Sequence, residues 1–452
     1  MQQVWAKSAL LPGGWARDVR IDIADGRIAR VTPGAGRTGE TVGVVVSAPA
    51  NGHSHAFQRA MAGLSEKRGP AHDSFWTWRD LMFRFLERLT PDQVEAIAAY
   101  VQIEMLETGF GASVEFHYLH HGPDGTPYAT LHEMSERIVA AAAQSGIGLT
   151  LLPVMYQYGG CDGRALTRGQ VRFGNDIDRF GRLLEGAARS LSALPGDAVL
   201  GVAPHSLRAV AAGDIPRLAA MRSESPVHMH LAEQVAEVAE VEAHLGARPV
   251  SWLLDNLALS DRWSLIHCTQ MTPGETIRLA QSGVVAGLCP LTEASLGDGV
   301  FDGVHWLEAG GSVAIGSDSN IRISLPEELR QLETTQRLRD LCRAALAGPG
   351  ASTGRRLMDA AAHGGAVASG RGAGRIAEGE WADLLALDTT HVDLEGLSGD
   401  TLLDAFVVAG DRSMVRHVWS GGRHLVRDGR HTRREAIESA YRRAIGDLRA
   451  DL

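Results

Sequence analysis

The chain of 452 residues is 44% hydrophobic and 22% charged, the balance of an ordered globular protein, with room for one large catalytic domain and a smaller one. A formal net charge of -10 argues against nucleic acid or an anionic membrane as partner, so an anionic substrate would have to be held by arginines placed in its site. Cys161, Cys268, Cys289 and Cys342 form no C-x-x-C pair, the opening "MQQVWAKSALLPGGWARDVR" lacks a signal-peptide core, and no run reaches the roughly 18 apolar residues of a membrane span; these features predict reduced thiols in a cytoplasmic protein.

In chain order, "RDVRIDIADGRIARV" (17–31) reads as two alternating strands joined at Asp25-Gly26, a hairpin signal. Next, "VGVVVSAPA" is an apolar run that ends in "NGHSHAFQRAMAG", where His53 and His55 stand two apart. Alternate side chains of a strand share a face, so this pair points both imidazoles one way, half of a zinc site. From there β-rich runs alternate with helix-like segments. The runs are "NGHSHAF", "ASVEFHY", "LTLLPVMYQY", "LGVAPHSL", "PVHMHLAEQ", "WSLIHCTQ", "VVAGLCP" and "SVAIGSDSN". Eight runs across residues 45–320 suit a (β/α)8 barrel of roughly 250 residues. Helix-like segments such as "QVAEVAEVEAHLG" (234–246) and "PEELRQLETTQRLRDLCRAAL" (326–346) lie between or after them. Strand patterns return in "WADLLALD" and "MVRHVWSGGRHLVRDGRH". The expected architecture is α/β: a barrel over 48–370 and a small β-sandwich built from both chain ends, 1–47 and 371–452 with a terminal helix.

Nearly every candidate strand finishes in His, Asp, Glu, Tyr or Arg, as barrel enzymes do at the mouth where their strand ends converge. The strongest set is His53 and His55 on the first strand, His230 on the fifth, His267 on the sixth and Asp318 on the eighth. Three imidazoles and a carboxylate bind Zn²⁺ and leave a position for water, the pattern of a catalytic site.

With H-x-H, His, His and Asp on strands one, five, six and eight, and with "GRIAEGEWADLLALD" (374–388) leading back to the β-sandwich, the chain resembles the amidohydrolase superfamily over essentially its whole length. "GVAPHSLR" offers no lysine or glutamate to bridge a second metal, which implies one zinc per chain, held by His53, His55, His230 and Asp318. Glu233, three residues after His230, matches the H-x-x-E arrangement that deaminases of the superfamily use to shuttle protons. The stretches "HSHAFQRAMAGL", "SFWTWRDLMFRF", "SVEFHYLHHGPDG", "APHSLRAV", "HMHLAEQ", "CPLTEASLGDG" and "GSDSNIRISLPEELR" resemble the branch that deiminates N-formimidoyl-L-glutamate to N-formyl-L-glutamate and ammonia in histidine degradation. Gly52 and Ser295 depart from that pattern, where a larger apolar residue and an asparagine are expected. The resemblance also implies a homodimer.

Zinc brings the pKa of its water towards neutrality, and the expected catalytic residues work around that water. Asp318 is ligand and base, and His267 either polarises the water or binds the metal. Glu233 carries a proton to the leaving nitrogen. Two substrate carboxylates call for bidentate arginine: Arg208 leads, with His205 beside it, and Gln58, Arg79 and Tyr118 occupy matching positions. Glu293 faces a cationic amidinium or caps a turn, and Asn320 has no assigned role. His228 and His117 read as core histidines, His120 and His121 as loop residues, and Trp76 and Trp78 as packing for a lid or subunit contact. The rivals are an aminohydrolase acting on a purine or pterin ring and a zinc scaffold without catalysis; arginines at the mouth speak against the first, Glu233 and Asp318 against the second.

Overall fold

A computed structural model describes residues 2–66 and 75–450, the side chains of 75–77 excepted, so Trp76 lies outside the described side chains. Four strands open the chain: β1 (Gln2–Leu11), β2 (Gly14–Ala24), β3 (Arg27–Thr32) and β4 (Glu40–Ser47). β2 and β3 form the expected hairpin. Asp25 and Gly26 take φ of 51° and 78°, the two positive values a tight hairpin turn of this kind requires. β1, unremarked in the sequence, pairs antiparallel with β2 and parallel with β4.

Two parallel sheets follow. The first contains β5 (Ala50–Ser54), β6 (Ala112–His117), β7 (Gly148–Met155), β8 (Val199–Leu200) and β9 (Ala203–Pro204). The second runs β10 (Val227–Leu231), β11 (Trp263–His267), β12 (Val285–Leu288), β13 (Ser312–Ile315). Single parallel bridges join them at both ends, Ser54 to Asp318 and Val202 to Val227. All eight residues of β7 are buried, as strands covered on both faces must be. The fourth expected strand is broken into β8 and β9 at Gly201 and Val202, where Val202 turns to the neighbouring strand and bridges Val227.

The far end adds β14 (Leu384–Leu387), β15 (Val415–Ser420), β16 (Arg423–Arg427) and β17 (Arg430–His431). Both chain ends meet in one eight-stranded sheet, ordered β17-β16-β15-β14-β4-β1-β2-β3, with β4 and β14 at the seam. The run "VGVVVSAPA" is therefore two strands: Pro49 separates β4, which serves this sheet, from β5, which carries the histidines. A buried ionic cluster fastens the sheet to the parallel strands. Arg371 bonds Asp197 (3.0 Å) and both oxygens of Asp383 (2.9 and 3.1 Å), and Arg423 closes on Asp197 at 2.6 Å.

Two helix expectations are corrected in length. "QVAEVAEVEAHLG" is helical over Val235–Leu245. The later helix spans Leu325–Asp340 and stops short of residue 346: Leu341 turns to φ 52°, and Glu333 takes the N–H groups of Ala345 (2.8 Å) and Leu346 (2.9 Å).

Candidate metal centre and cavity

His53 ends in a cluster with His55, one residue beyond β5, and His230 of β10. The Nε2 atom of His53 lies 3.1 Å from that of His55 and 3.2 Å from that of His230. His55 gives its Nδ1–H to the Phe116 carbonyl (2.9 Å) and His230 gives its own to the His205 carbonyl (3.2 Å). Both Nε2 atoms therefore turn lone pairs inward, the orientation that carbonyl partners impose on metal-binding histidines. Burial, reinforced by neighbouring imidazoles, keeps His53 and His230 far below the ordinary histidine pKa, and burial takes His55 to about 3. The two inward lone pairs and His53 Nε2 thus face one point. Asp318 Oδ1 lies 3.2 Å from His55 Nε2 and 3.6 Å from His53 Nε2. The three imidazoles could hold a divalent metal.

Two glycines let the strands come this close. A Cβ at Gly316 would meet the His53 backbone at 2.7 Å, and one at Gly52 would meet the Ala314 Cβ at 2.8 Å. The small residue at 52, unexpected from the family pattern, is what this approach of β5 and β13 requires.

Glu233 and His267 stand beside the cluster. His267 Nε2 is 3.8 Å from Glu233 Oε1 and 3.9 Å from Asp318 Oδ2, and it has no hydrogen-bond partner. Burial opposes charge on His267, but Glu233, Glu293 and Asp318 override it and raise its pKa well above the ordinary value. Burial raises Glu233, and it takes Asp318 up to about 7. The loop carrying Glu233 is pinned by Glu237, whose carboxylate accepts from Ala232 N (3.2 Å) and Glu233 N (2.9 Å).

A cavity opens over these groups. Its walls include His55, His205, His230, Glu233, His267 and Asp318, together with Gln58, Arg79, Tyr118 and Arg208. All five residues expected at the substrate thus line the same cavity as Glu233, His267 and Asp318. Arg208 is buried, and despite burial the charges of Glu237 and Glu233 keep it firmly protonated. Gln58 gives its amide to Tyr118 Oη (2.7 Å), and its own Oε1 is buried without a partner. Arg79 is half-buried on the helix Phe75–Leu86 and faces the cavity with Trp78, Met82 and Phe83. Trp78 is thus part of the cavity wall.

Asn51, Ser54 and Ser317, which position the site, have no signal in the sequence reading, and Asn320 has no role there. Asn51 gives its amide to Ser317 Oγ (2.7 Å), which bonds Asn320 Oδ1 (2.6 Å), and Asn320 reaches Ser54 Oγ (3.1 Å) and the Asp318 carbonyl (2.9 Å). Asn320 thereby locks the end of β5 to the loop bearing Asp318. Glu293 accepts from Cys289 N (2.8 Å) and lies 3.2 Å from His267 Nδ1: it caps a turn and holds the imidazole, and it is absent from the cavity wall. His228 is the expected core histidine, bonded to the Ala368 carbonyl at 2.7 Å. His117 is buried with its Nε2 unpartnered. His120 and His121 lie in a loop but are buried, bonded to the carbonyls of Val154 (2.9 Å) and Gly174 (3.0 Å).

The amidohydrolase family profile matches residues 44–425, and the chain belongs to that family. Residues 1–40 match a second profile, described as formimidoylglutamate deiminase HutF, N-terminal domain. Formimidoylglutamate deiminase of Pseudomonas aeruginosa is 47% identical over 453 residues, covering 99% of this chain and all of that one. Among solved structures, an amidohydrolase from Brucella melitensis is 48% identical with both chains fully covered and a TM-score of 0.95. An adenosine deaminase from Xanthomonas campestris, solved with bound zinc, shares the fold at 20% identity, with a TM-score of 0.82 over 99% of this chain and 98% of that one. No helix among the described residues is long and apolar enough to cross a membrane.

Proposed function

We propose that the protein hydrolyses N-formimidoyl-L-glutamate to N-formyl-L-glutamate and ammonia, as a step of histidine degradation. The observation that carries this reading is a single cavity lined by Arg208 and Arg79 together with Glu233, His267 and Asp318. Cations for two carboxylates and acids for a leaving amine are what a formimidoylated dicarboxylic amino acid needs. The full-length likeness to a formimidoylglutamate deiminase supports the same substrate.

One zinc per chain would be held by His53, His55, His230 and Asp318, and when bound it supplies a water acidified towards neutrality. Arg208, with His205 beside it, and Arg79 hold the substrate carboxylates, while Gln58 and Tyr118 orient the amidine. His267 and Asp318 fix the attacking water, and Asp318 takes its proton. The water oxygen bonds to the formimidoyl carbon as the C=N π pair moves to nitrogen; the remaining carbon–nitrogen bond then breaks towards nitrogen as the new hydroxyl gives up its proton to the neighbouring carboxyls and becomes the formyl carbonyl. Glu233 delivers the proton with which that nitrogen leaves as ammonia. In this reading the two parallel sheets close as a (β/α)8 barrel over 48–370; the bridges Ser54–Asp318 and Val202–Val227 support closure. Residues 1–47 and 371–452 form a β-sandwich domain, and the enzyme works as a cytoplasmic homodimer.

The test is direct. Zinc-loaded protein given formimidoylglutamate releases ammonia and formylglutamate, and metal analysis finds one zinc per chain. Absence of ammonia release from fully loaded protein overturns the function, and two metals at full activity overturn the single-metal site.

A further inference from the structure

Beside the histidine cluster lies a second group of ligand atoms. One ring nitrogen of His267, the Cys289 thiol and one Asp318 oxygen all fall within 4.8 Å of one another, and all three residues are buried. The same Glu293 carboxylate ties the group together, accepting from Cys289 N at 2.8 Å and approaching His267 Nδ1 at 3.2 Å. His267 Nε2, fully buried, has no hydrogen-bond partner. Glu233 and Glu293 are buried beside it, 3.8 Å from His267 Nε2 and 3.2 Å from His267 Nδ1. The set combines sulfur, nitrogen and oxygen, which selects a thiophilic ion over magnesium or calcium.

We propose that His267, Cys289 and Asp318 form a second metal site for a thiophilic divalent cation, and that filling it stops hydrolysis. Binding breaks the Cys289 S–H bond and the N–H bond of a protonated His267, releases those protons to solvent and forms metal–sulfur and metal–nitrogen bonds; nothing is oxidised or reduced. The ion engages His267 and Asp318, the groups the proposed hydrolysis needs to orient water and accept its proton. Cys289 itself has no part in that chemistry, so the enzyme without the second ion runs equally well with or without the thiol. The inhibition arm rests on the proposed hydrolysis, whereas the binding arm does not.

The probe is cadmium, titrated into zinc holoenzyme. The parent protein is expected to bind one cadmium per chain while keeping its zinc, to show the ultraviolet charge-transfer absorption of a cadmium thiolate, and to lose ammonia release in parallel. Cys289→Ser and Cys289→Ala should keep the untreated activity, lose the absorption, and need at least roughly 10–100-fold more cadmium for the same inhibition, since loss of even an outer partner of a metal site costs that much. Cadmium that simply replaces zinc one for one in the parent protein overturns the proposal, even if neither variant folds. So do absorption and inhibition that persist in a folded variant, since other cysteines would then be the ligands. If no preparation hydrolyses formimidoylglutamate, stoichiometry and absorption still decide the site.

Discussion

Replacing Arg208 with methionine separates carboxylate binding from metal chemistry. Methionine keeps most of the length and apolar stem while removing the guanidinium. The side chain is only 8% exposed, so a substrate carboxylate meeting it is taken out of water. Removing one partner of a buried ion pair costs about 3–5 kcal/mol, because the other charge is left uncompensated. Glu237 and Glu233 already share the field of Arg208 in the free protein, which places the loss at the lower end. About 3 kcal/mol is roughly a hundredfold in kcat/KM for formimidoylglutamate. The assay is ammonia release from two substrates, formimidoylglutamate and an uncharged formamidine, with metal content measured on both proteins. Metal content should not change, and the formamidine, a poor substrate for the parent, should lose little more. Equal losses on both substrates would mean that Arg208 supports the fold or the metal, and the carboxylate argument would fail.

Glu233→Gln keeps the shape of the side chain and cannot carry a proton; it should retain metal and substrate binding and lose about 10²–10⁴-fold in kcat, and near-normal ammonia release would remove Glu233 from the mechanism. Arg371→Met leaves Asp197 and Asp383 with one cation instead of two and should cost about 3–5 kcal/mol in urea unfolding, partly recovered when Asp383→Asn is added; a loss within error of zero refutes the latch between the two chain ends and the parallel strands. Burial lifts Glu115 from 4.5 to about 8, so the folded state binds a proton that the unfolded state releases, and stability should fall as pH rises through that window. Glu115→Gln can still accept from Ala56 N and should flatten that decline; an unchanged pH profile of unfolding would show that Glu115 is ionised in the folded protein.

What the sequence made legible follows from how locally each signal is written. The Asp25-Gly26 hairpin needs only two residues with positive φ, and its turn is readable without any partner strand. The H-x-H pair, His230, His267 and Asp318 are readable because each ends a β-rich run, and parallel strands bring their ends together. The strand boundary at Pro49 was harder: β4 and β5 are both apolar and differ only in what they pair with, which is a property of distant residues. The helix end at Asp340 was hidden for the same reason, since Glu333 competes for the backbone of Ala345 and Leu346 from twelve and thirteen residues away.

The groups that hold the site in place were the least visible, and backbone strain explains why they are needed. Ala232, His267, Asp318 and Asn320 all take positive φ, 51°, 71°, 42° and 55°, a conformation costing about 1–3 kcal/mol for each non-glycine residue. Such residues persist only where neighbours over-determine them. Here the neighbours are named: Glu237 holds the backbone at 232 and 233, Glu293 approaches the ring of 267, and the chain Asn51–Ser317–Asn320–Ser54 brackets 318. Each strained residue carries, adjoins or lies two residues from a group in the cluster, so the strain sits where side chains must leave the strand direction to converge on one point. Asparagine, serine and glutamate in a loop are ordinary residues to a sequence reader. Their function arises only when β5 and β13 approach closely enough that Gly52 and Gly316 can carry no side chain, and that closeness is also what brings His53 and Asp318 within reach of one ion.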